Sequence, residues 1–213
     1  FSLKEIKEYM KNYTIDSSLT ILRKQLTVIE QQIQELRMIQ SRLLHRCVQM
    51  ENARNYMETE TAVVTETVQE QYLLTQKVDA PYRMSEISIA TKKCFAEAFR
   101  NHLPVFFQSG VIVPLQRIRT GRYTEASTAF LPIEKTEGPK NLCRIPAGTC
   151  ACTYHVGDYL SIGRSYDRLL DYCDSRGLEI LSDSYEFCIS DYLTTKDENE
   201  YITKILFYVR PTQ

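Results

Sequence analysis

The sequence predicts an α+β protein: a long self-associating helix, then a duplicated β-α-β-β domain whose antiparallel sheet carries two helices on one face. Three observations predict it. Between residues 17 and 58 apolar side chains recur on alternating steps of three and four, with no glycine or proline to interrupt them. After residue 63 the chain changes to short β-like runs separated by turns, and all seven prolines lie in that part. Two amphipathic helical stretches then fall at equivalent places within the run of strands. The expected organisation is a short first helix over 1–12, a coiled-coil helix over 17–60 and a strand-rich domain over 63–213.

Composition bounds the rest. A chain of 213 residues with 43% hydrophobic and 25% charged content can bury a sizeable core. A net charge of −1 gives no overall electrostatic footprint for nucleic acid. Seven scattered cysteines, an odd number, read as reduced thiols rather than a disulfide framework. There is no apolar run of the length a membrane span needs and no signal-peptide pattern, so the sequence is read as cytoplasmic, with no membrane partner. Tyrosine is abundant at 14 while tryptophan is absent. Tyrosine suits both surfaces that bind partly polar apolar ligands and plain strand formation, and composition leaves the two open.

In the first element Ser2 and Glu5 form a capping box, and Leu3, Ile6 and Met10 make one stripe. Opening at Phe1 with a stripe that has no visible partner, it is expected to be the remnant of a preceding domain. In the second, Asp16 or Ser17 can cap, and the seam comprises Leu19, Leu22, Leu26, Ile29, Ile33, Leu36, Leu43, Cys47, Met50 and Met57. Gln40 and Arg54 interrupt it, and polar Gln40 would help fix register. Such a narrow stripe over roughly 60 Å calls for a second copy of the chain, with Leu22, Leu26, Ile29, Ile33, Leu36 and Leu43 as its dimer contacts. The alternative is a long helix lying on its own domain.

In the third part, strands are expected at 72–78, 111–118, 126–133, 149–156, 179–189 and 201–209, with helices at 85–101 and 161–176. Ile87, Ala90, Cys94, Ala98 and Phe99 share one face of the first helix, and Ile162, Tyr166, Leu169, Leu170 and Cys173 one face of the second. Gly177 is placed to end the second helix. Strand, helix and two strands thus occur twice. The helices are expected to cover one sheet face, leaving the other free to form a cleft.

Catalytic and metal chemistry find little support. The three histidines, His45, His102 and His155, fall in unrelated contexts, and no phosphate loop, nucleophile elbow or metal-ligand helix is present. Cys150 and Cys152, with Cys143 and His155 nearby, lack the spacing of common zinc sites and alternate as a half-buried strand does. Neither metal nor cofactor is expected. One carboxylate stands out. In the last-but-one strand Tyr185, Phe187 and Ile189 share one face, with Ser184, Glu186 and Cys188 on the other. If the aromatic face packs on the helices, Glu186 lies in the cleft, where it can hold a cation among tyrosine rings. The other reading is a solvated surface acid.

The segments Ile145-Pro146-Ala147-Gly148-Thr149, Gly157-Asp158-Tyr159 and Tyr166-Asp167-Arg168-Leu169-Leu170-Asp171-Tyr172, with the tail Tyr185-Glu186 and Asp197 to Ile205, resemble the second half of the GyrI-like effector-binding domain. Phe1-Ser2-Leu3-Lys4-Glu5-Ile6-Lys7 resembles the helix that ends the winged-helix domain of MerR-family regulators, and a long dimerisation helix follows in that family too. The order resembles the multidrug-sensing branch of the MerR family over essentially the whole chain. The resemblance implies an antiparallel coiled-coil homodimer and a cleft for bulky hydrophobic, often cationic, compounds. It also implies contact with promoter DNA through a domain mostly outside these residues, and an indirect action on RNA polymerase. Glu186 matches the family's pocket acid and Tyr201 a pocket aromatic. Cys188 replaces a larger apolar side chain, and Ile162 an aromatic. Tyr159 is counted with the pocket residues, and Tyr72, Phe106 and Tyr123 are named on aromatic character alone. Two other functions remain open: a GyrI-like hydrolase using Glu186 and a tyrosine as acid and base, and a stand-alone protein that binds another through its sheet face.

Overall fold

A computed structural model describes residues 6, 7, 10, 14–57, 62–106, 108–135, 140–191 and 194–212. The expected first helix lies largely outside the described residues; within it Ile6 and Lys7 are helical. Helix α1 spans Ile15–Met57, 43 residues. Its cap is neither Asp16 nor Ser17 acting alone. The Ser17 N–H donates to Thr14 Oγ1 at 3.2 Å while the Thr14 N–H donates to Ser17 Oγ at 2.8 Å, a reciprocal pair that satisfies two donors at the helix start. The chain divides into two compact units, Phe1–His45 and Arg46–Gln213, so the last three turns of α1 belong to the second. Within α1, Leu22, Leu26, Ile29, Ile33, Leu36 and Leu43 are each between 42% and 65% exposed.

The second unit is an antiparallel sheet of nine strands: β1 (Val64–Val68), β2 (Gln71–Lys77), β3 (Gly110–Val113), β4 (Thr128–Ile133), β5 (Leu142–Ile145), β6 (Gly148–Val156), β7 (Leu178–Ile180), β8 (Ser184–Ser190) and β9 (Ile202–Pro211). Helices α2 (Met84–Arg100), α3 (Leu115–Ile118) and α4 (Gly163–Ser175) complete it. The sheet order is β1-β6-β9-β8-β3-β4-β2-β5, with β7 paired to β9. The duplication explains this order. Each half contributes a strand, a helix and two strands, giving β2-β4-β3 and β6-β9-β8, and the halves meet where β3 pairs β8. Strands β1 and β5 extend the two outer edges.

Four expectations are corrected. The run 111–118 is not one strand: Pro114 ends β3, and α3 begins with the Leu115 N–H donating to Asp183 Oδ1 at 2.9 Å. The run 179–189 is two strands, because Ser182 Oγ takes the Tyr208 N–H at 3.0 Å and lifts the chain out of the ladder between them. The expected strands omit the edge strands β1 and β5, whose sequences VTETV and LCRI are too short to carry a clear alternation. The fourth concerns the faces. Helices α2 and α4 share one core on one face, through Ile87, Ala90, Tyr166, Leu169 and Cys173 packed with Ala129, Ala151, Ile205 and Phe207. The opposite face is not free. Phe130, Phe187, Leu73, Leu206, Cys150 and Cys152 form a second core there, joined by Val68 from β1 and Ile145 from β5. The sheet curls so that its edges cover its own face. Phe187 and Ile189 therefore point away from the helices, and Glu186 points towards them.

Gly177 closes α4 at φ +58°, in the left-handed region where a Cβ is costly, and its carbonyl accepts from the Thr212 N–H at 2.7 Å.

Candidate functional site

Glu186 sits at the seam of the duplication, opposite Val111 of β3 on one side and Ile205 of β9 on the other. It is 1% exposed, which removes the solvated-acid reading. Its carboxylate is held by two phenols. The Tyr159 hydroxyl donates to Oε2 at 2.8 Å, and the Tyr166 hydroxyl donates to Oε1 through a short bond. Tyr166 Oη also lies 2.9 Å from Ser184 Oγ. A phenol has one proton, so if that proton goes to the carboxylate the serine donates in turn.

Burial is the largest influence on Glu186 and pushes its pKa up to about 7, against the pull of the two tyrosine hydrogen bonds. No cation contributes to that balance. Burial and the facing carboxylate likewise drive Tyr159 and Tyr166 well above the usual phenol value, so both remain neutral donors. Among the described residues the site is thus a buried acid with aromatic neighbours and no counter-charge, a combination that costs free energy whenever the acid ionises.

Local sequence explains how each donor arrives. Tyr166 lies one turn beyond Ile162, on the buried face of α4. Tyr159 opens a 3-10 turn, Tyr159–Ser161, capped by the Asp158 side chain, which accepts from the Leu160 N–H at 3.2 Å. Buried His155 braces the turn: Nε2 lies 2.9 Å from the Asp158 carbonyl oxygen and Nδ1 3.0 Å from Ser165 Oγ. A carbonyl only accepts, so Nε2 carries a proton; in the neutral ring Ser165 then donates to Nδ1. Tyr123 stacks on Tyr166 with centroids 5.6 Å apart and an interplanar angle of 13°, and its hydroxyl donates to Asp167 Oδ1 at 2.6 Å. Gly163 permits this approach, since a Cβ there would lie 2.7 Å from the Tyr123 ring.

The structure therefore brings Tyr159 to Glu186 and Tyr123 to Tyr166, with Ile162 fully buried in the same core as Tyr166. Cys188 is half-buried two residues along β8, its thiol donating to Asp191 Oδ2 at 3.3 Å. Tyr201 is not one of the two hydroxyls on Glu186; it stands before β9 among the acids Glu198, Asp191 and Asp197. Tyr72 packs at the far side of the sheet, donating to Glu70 Oε1 at 2.8 Å, and Phe106 lies between α2 and β3 with its N–H directed at the Pro132 carbonyl. The sequence places Tyr166 on a helix face and Ser184 on the Glu186 face of its strand but assigns neither to the site. The available signal was a tyrosine on an otherwise apolar helix face, whose hydroxyl has to find a partner inside.

Cys150 and Cys152 belong to the second core while His155 faces α4, as strand alternation requires, so they do not converge. Among the described residues no group of three or more His, Cys, Asp or Glu side chains is placed to hold a metal. The cysteines are free; Cys94, Cys150 and Cys173 have thiols pushed up by burial to about 12, about 12 and about 11, whereas Cys47 is exposed on α1.

The GyrI-like small-molecule-binding domain model matches residues 61–210. The chain belongs to that family. This GyrI-like chain is 24% identical over 212 residues to the multidrug-efflux transporter 2 regulator of Bacillus subtilis (strain 168), covering 98% of this chain and 75% of that protein. Its fold matches the crystal structure of the EcmrR C-terminal domain at a TM-score of 0.61 and 17% identity, over 71% of this chain and 98% of that one. EcmrR in a cryo-EM structure of its DNA complex aligns over 100% of this chain and 78% of that one, at a TM-score of 0.59 and 17% identity. The GyrI-like fold also occurs in a protein of Listeria innocua described as a hydrolase, at a TM-score of 0.50 and 10% identity over 71% of this chain and 93% of that one. No helix among the described residues is long and apolar enough to cross a membrane.

Proposed function

We propose that this chain is the sensing part of a ligand-responsive transcription regulator, and that the site at Glu186 takes a hydrophobic cation. The observation that carries the proposal is the buried carboxylate itself, satisfied by neutral phenols and lacking a counter-charge among the described residues. A lipophilic cation supplies the missing charge, and the rings of Tyr159, Tyr166 and Tyr123 supply apolar and cation–π contact. Tyr201 and Cys188 form the outer rim of the site in this reading. The relative that regulates a multidrug-efflux transporter and the EcmrR–DNA complex support the regulatory setting. The exposed stripe of α1 pairs with a second copy as an antiparallel coiled coil, and DNA is reached through a domain preceding the sensor. Ligand acts by favouring one arrangement of the dimer over another. Turnover is not expected: both groups facing the carboxylate are neutral phenols, and neither serine near His155 is directed at Glu186.

Thermal unfolding of the wild type and Glu186→Gln with tetraphenylphosphonium tests this. A binder at about 100 times its Kd stabilises the wild type by about 2.7 kcal/mol. Equal shifts in the two proteins, or none in either, defeat the assignment.

A further inference from the structure

The strand that carries Glu186 is also gripped by helix α1. Between Cys188 and Ser190 the pairing of β8 with β9 shifts register: Cys188 is opposite Thr203, and Ser190 opposite Ile202. The extra residue is Ile189, and such a bulge takes its backbone out of the regular ladder. The Ile189 carbonyl accepts instead from Arg46 Nη2 at 2.6 Å, a contact spanning 143 positions of sequence. The same guanidinium stands by Cys188, whose thiol it draws down against the raising effects of burial and Asp191. One short stretch of β8 thus holds the candidate ligand acid, a rim residue and the attachment of the last turns of α1. The attachment is also incompletely satisfied. Among the described residues Arg46 Nη1 is buried with no hydrogen-bond partner. A buried donor left unpaired is costly, so the contact is poised to be remade when its surroundings change.

We propose that Arg46 is a positioning residue that couples the pocket to the helix, making the last three turns of α1 respond to the charge at Glu186. The proposal rests on Glu186 as the ligand acid, because a cation bound there changes the charge that β8 presents. Arg46 touches neither ligand nor reacting atom in this role; it holds the bulged backbone and moves with it.

A double-mutant cycle read by amide hydrogen exchange over residues 46–57 tests the coupling without ligand. The full chain is used as wild type, Glu186→Gln, Arg46→Gln and the double variant, at pH 8. With Arg46 present, neutralising Glu186 changes exchange in these turns by about fivefold, the low end of allosteric coupling. With Arg46→Gln the change falls within about twofold, the scatter of independent sites. Arg46→Lys, which keeps a donor for the Ile189 carbonyl, restores part of the response. A role confined to anchoring would raise exchange in Arg46→Gln yet leave the effect of Glu186→Gln the same in both backgrounds, and that result, or no effect in either, overturns the proposal. Adding tetraphenylphosphonium separates the two ideas. Wild type that fails to bind it while the cycle shows coupling defeats the ligand reading alone, and binding without coupling defeats the role of Arg46 alone.

Discussion

Helix α1 and the Glu186 site are opposite departures from the ordinary soluble protein. Along α1, leucines and isoleucines stand in water. At the seam of the sheet a carboxylate is shut away from it. Among the described residues neither has a complement, and the proposed function gives the helix another apolar stripe and the acid a positive charge. The two differ in how the deficit is held. The helix leaves its stripe open, whereas the sheet domain covers its acid with Tyr159 and Tyr166.

The comparison breaks first at the helix. Leu26→Glu with Ile33→Glu should abolish self-association, since each apolar side chain is worth about 1.5–3 kcal/mol on burial and a dimer loses four of them. Sedimentation velocity reads this directly, and an unchanged mass rules out the stripe as the interface. At the other pole Glu186→Gln should weaken tetraphenylphosphonium binding on the order of 100-fold, a loss of about 2–3 kcal/mol for a desolvated charge pair deprived of one member. Unaltered affinity by calorimetry would show that the acid does not meet the ligand.

The acid also sets two pH profiles. A cation needs the carboxylate ionised, and burial holds the Glu186 pKa at about 7, so affinity should fall about tenfold per pH unit below 7 and level off above it. Stability runs the other way. The group is raised in the folded protein from the ordinary 4.5, so the folded state binds the proton more tightly than the unfolded one. Ligand-free stability is therefore complete below about 4.5, declines as pH rises to about 7 and is flat beyond, a total of about 3 kcal/mol. Glu186→Gln should lack both slopes. The smallest effect belongs to Tyr159→Phe, which removes a hydrogen bond favouring the ionised form and should move the midpoint of the binding profile upward by about one pH unit. A downward movement would mean that Tyr159 does not donate to Glu186 in solution.

The sequence showed the outlines of both regions for physical reasons. A 3.5-residue repeat is visible wherever it is sustained, and the long strands β2, β4, β6 and β9 carried enough β-branched and aromatic residues to be placed within a residue or two. The parity of β8 was legible as well: Glu186 does lie opposite Phe187 and Ile189. What failed was the choice of which face the helices cover. Alternation fixes two faces but does not say which is covered, and a sheet that curls over itself buries both. Strands β1 and β5, the edges that complete the curl, are only five and four residues long, so the features that decide the question were the hardest to read. Tyr159 was placed with the pocket, but its hydrogen bond to Glu186 depends on a turn braced by His155, a contact that no periodicity encodes.

The distribution of thiols offers a direct measurement on the other region. Burial makes Cys94, Cys150 and Cys173 poor nucleophiles at neutral pH, while Cys47 stands exposed near one end of α1. With half-buried Cys143 and Cys188 replaced by serine, a spin label at Cys47 becomes a ruler for helix polarity. Two α1 helices crossing antiparallel at their midpoints hold the labelled backbones about 33 Å apart, and a parallel pair sets them side by side.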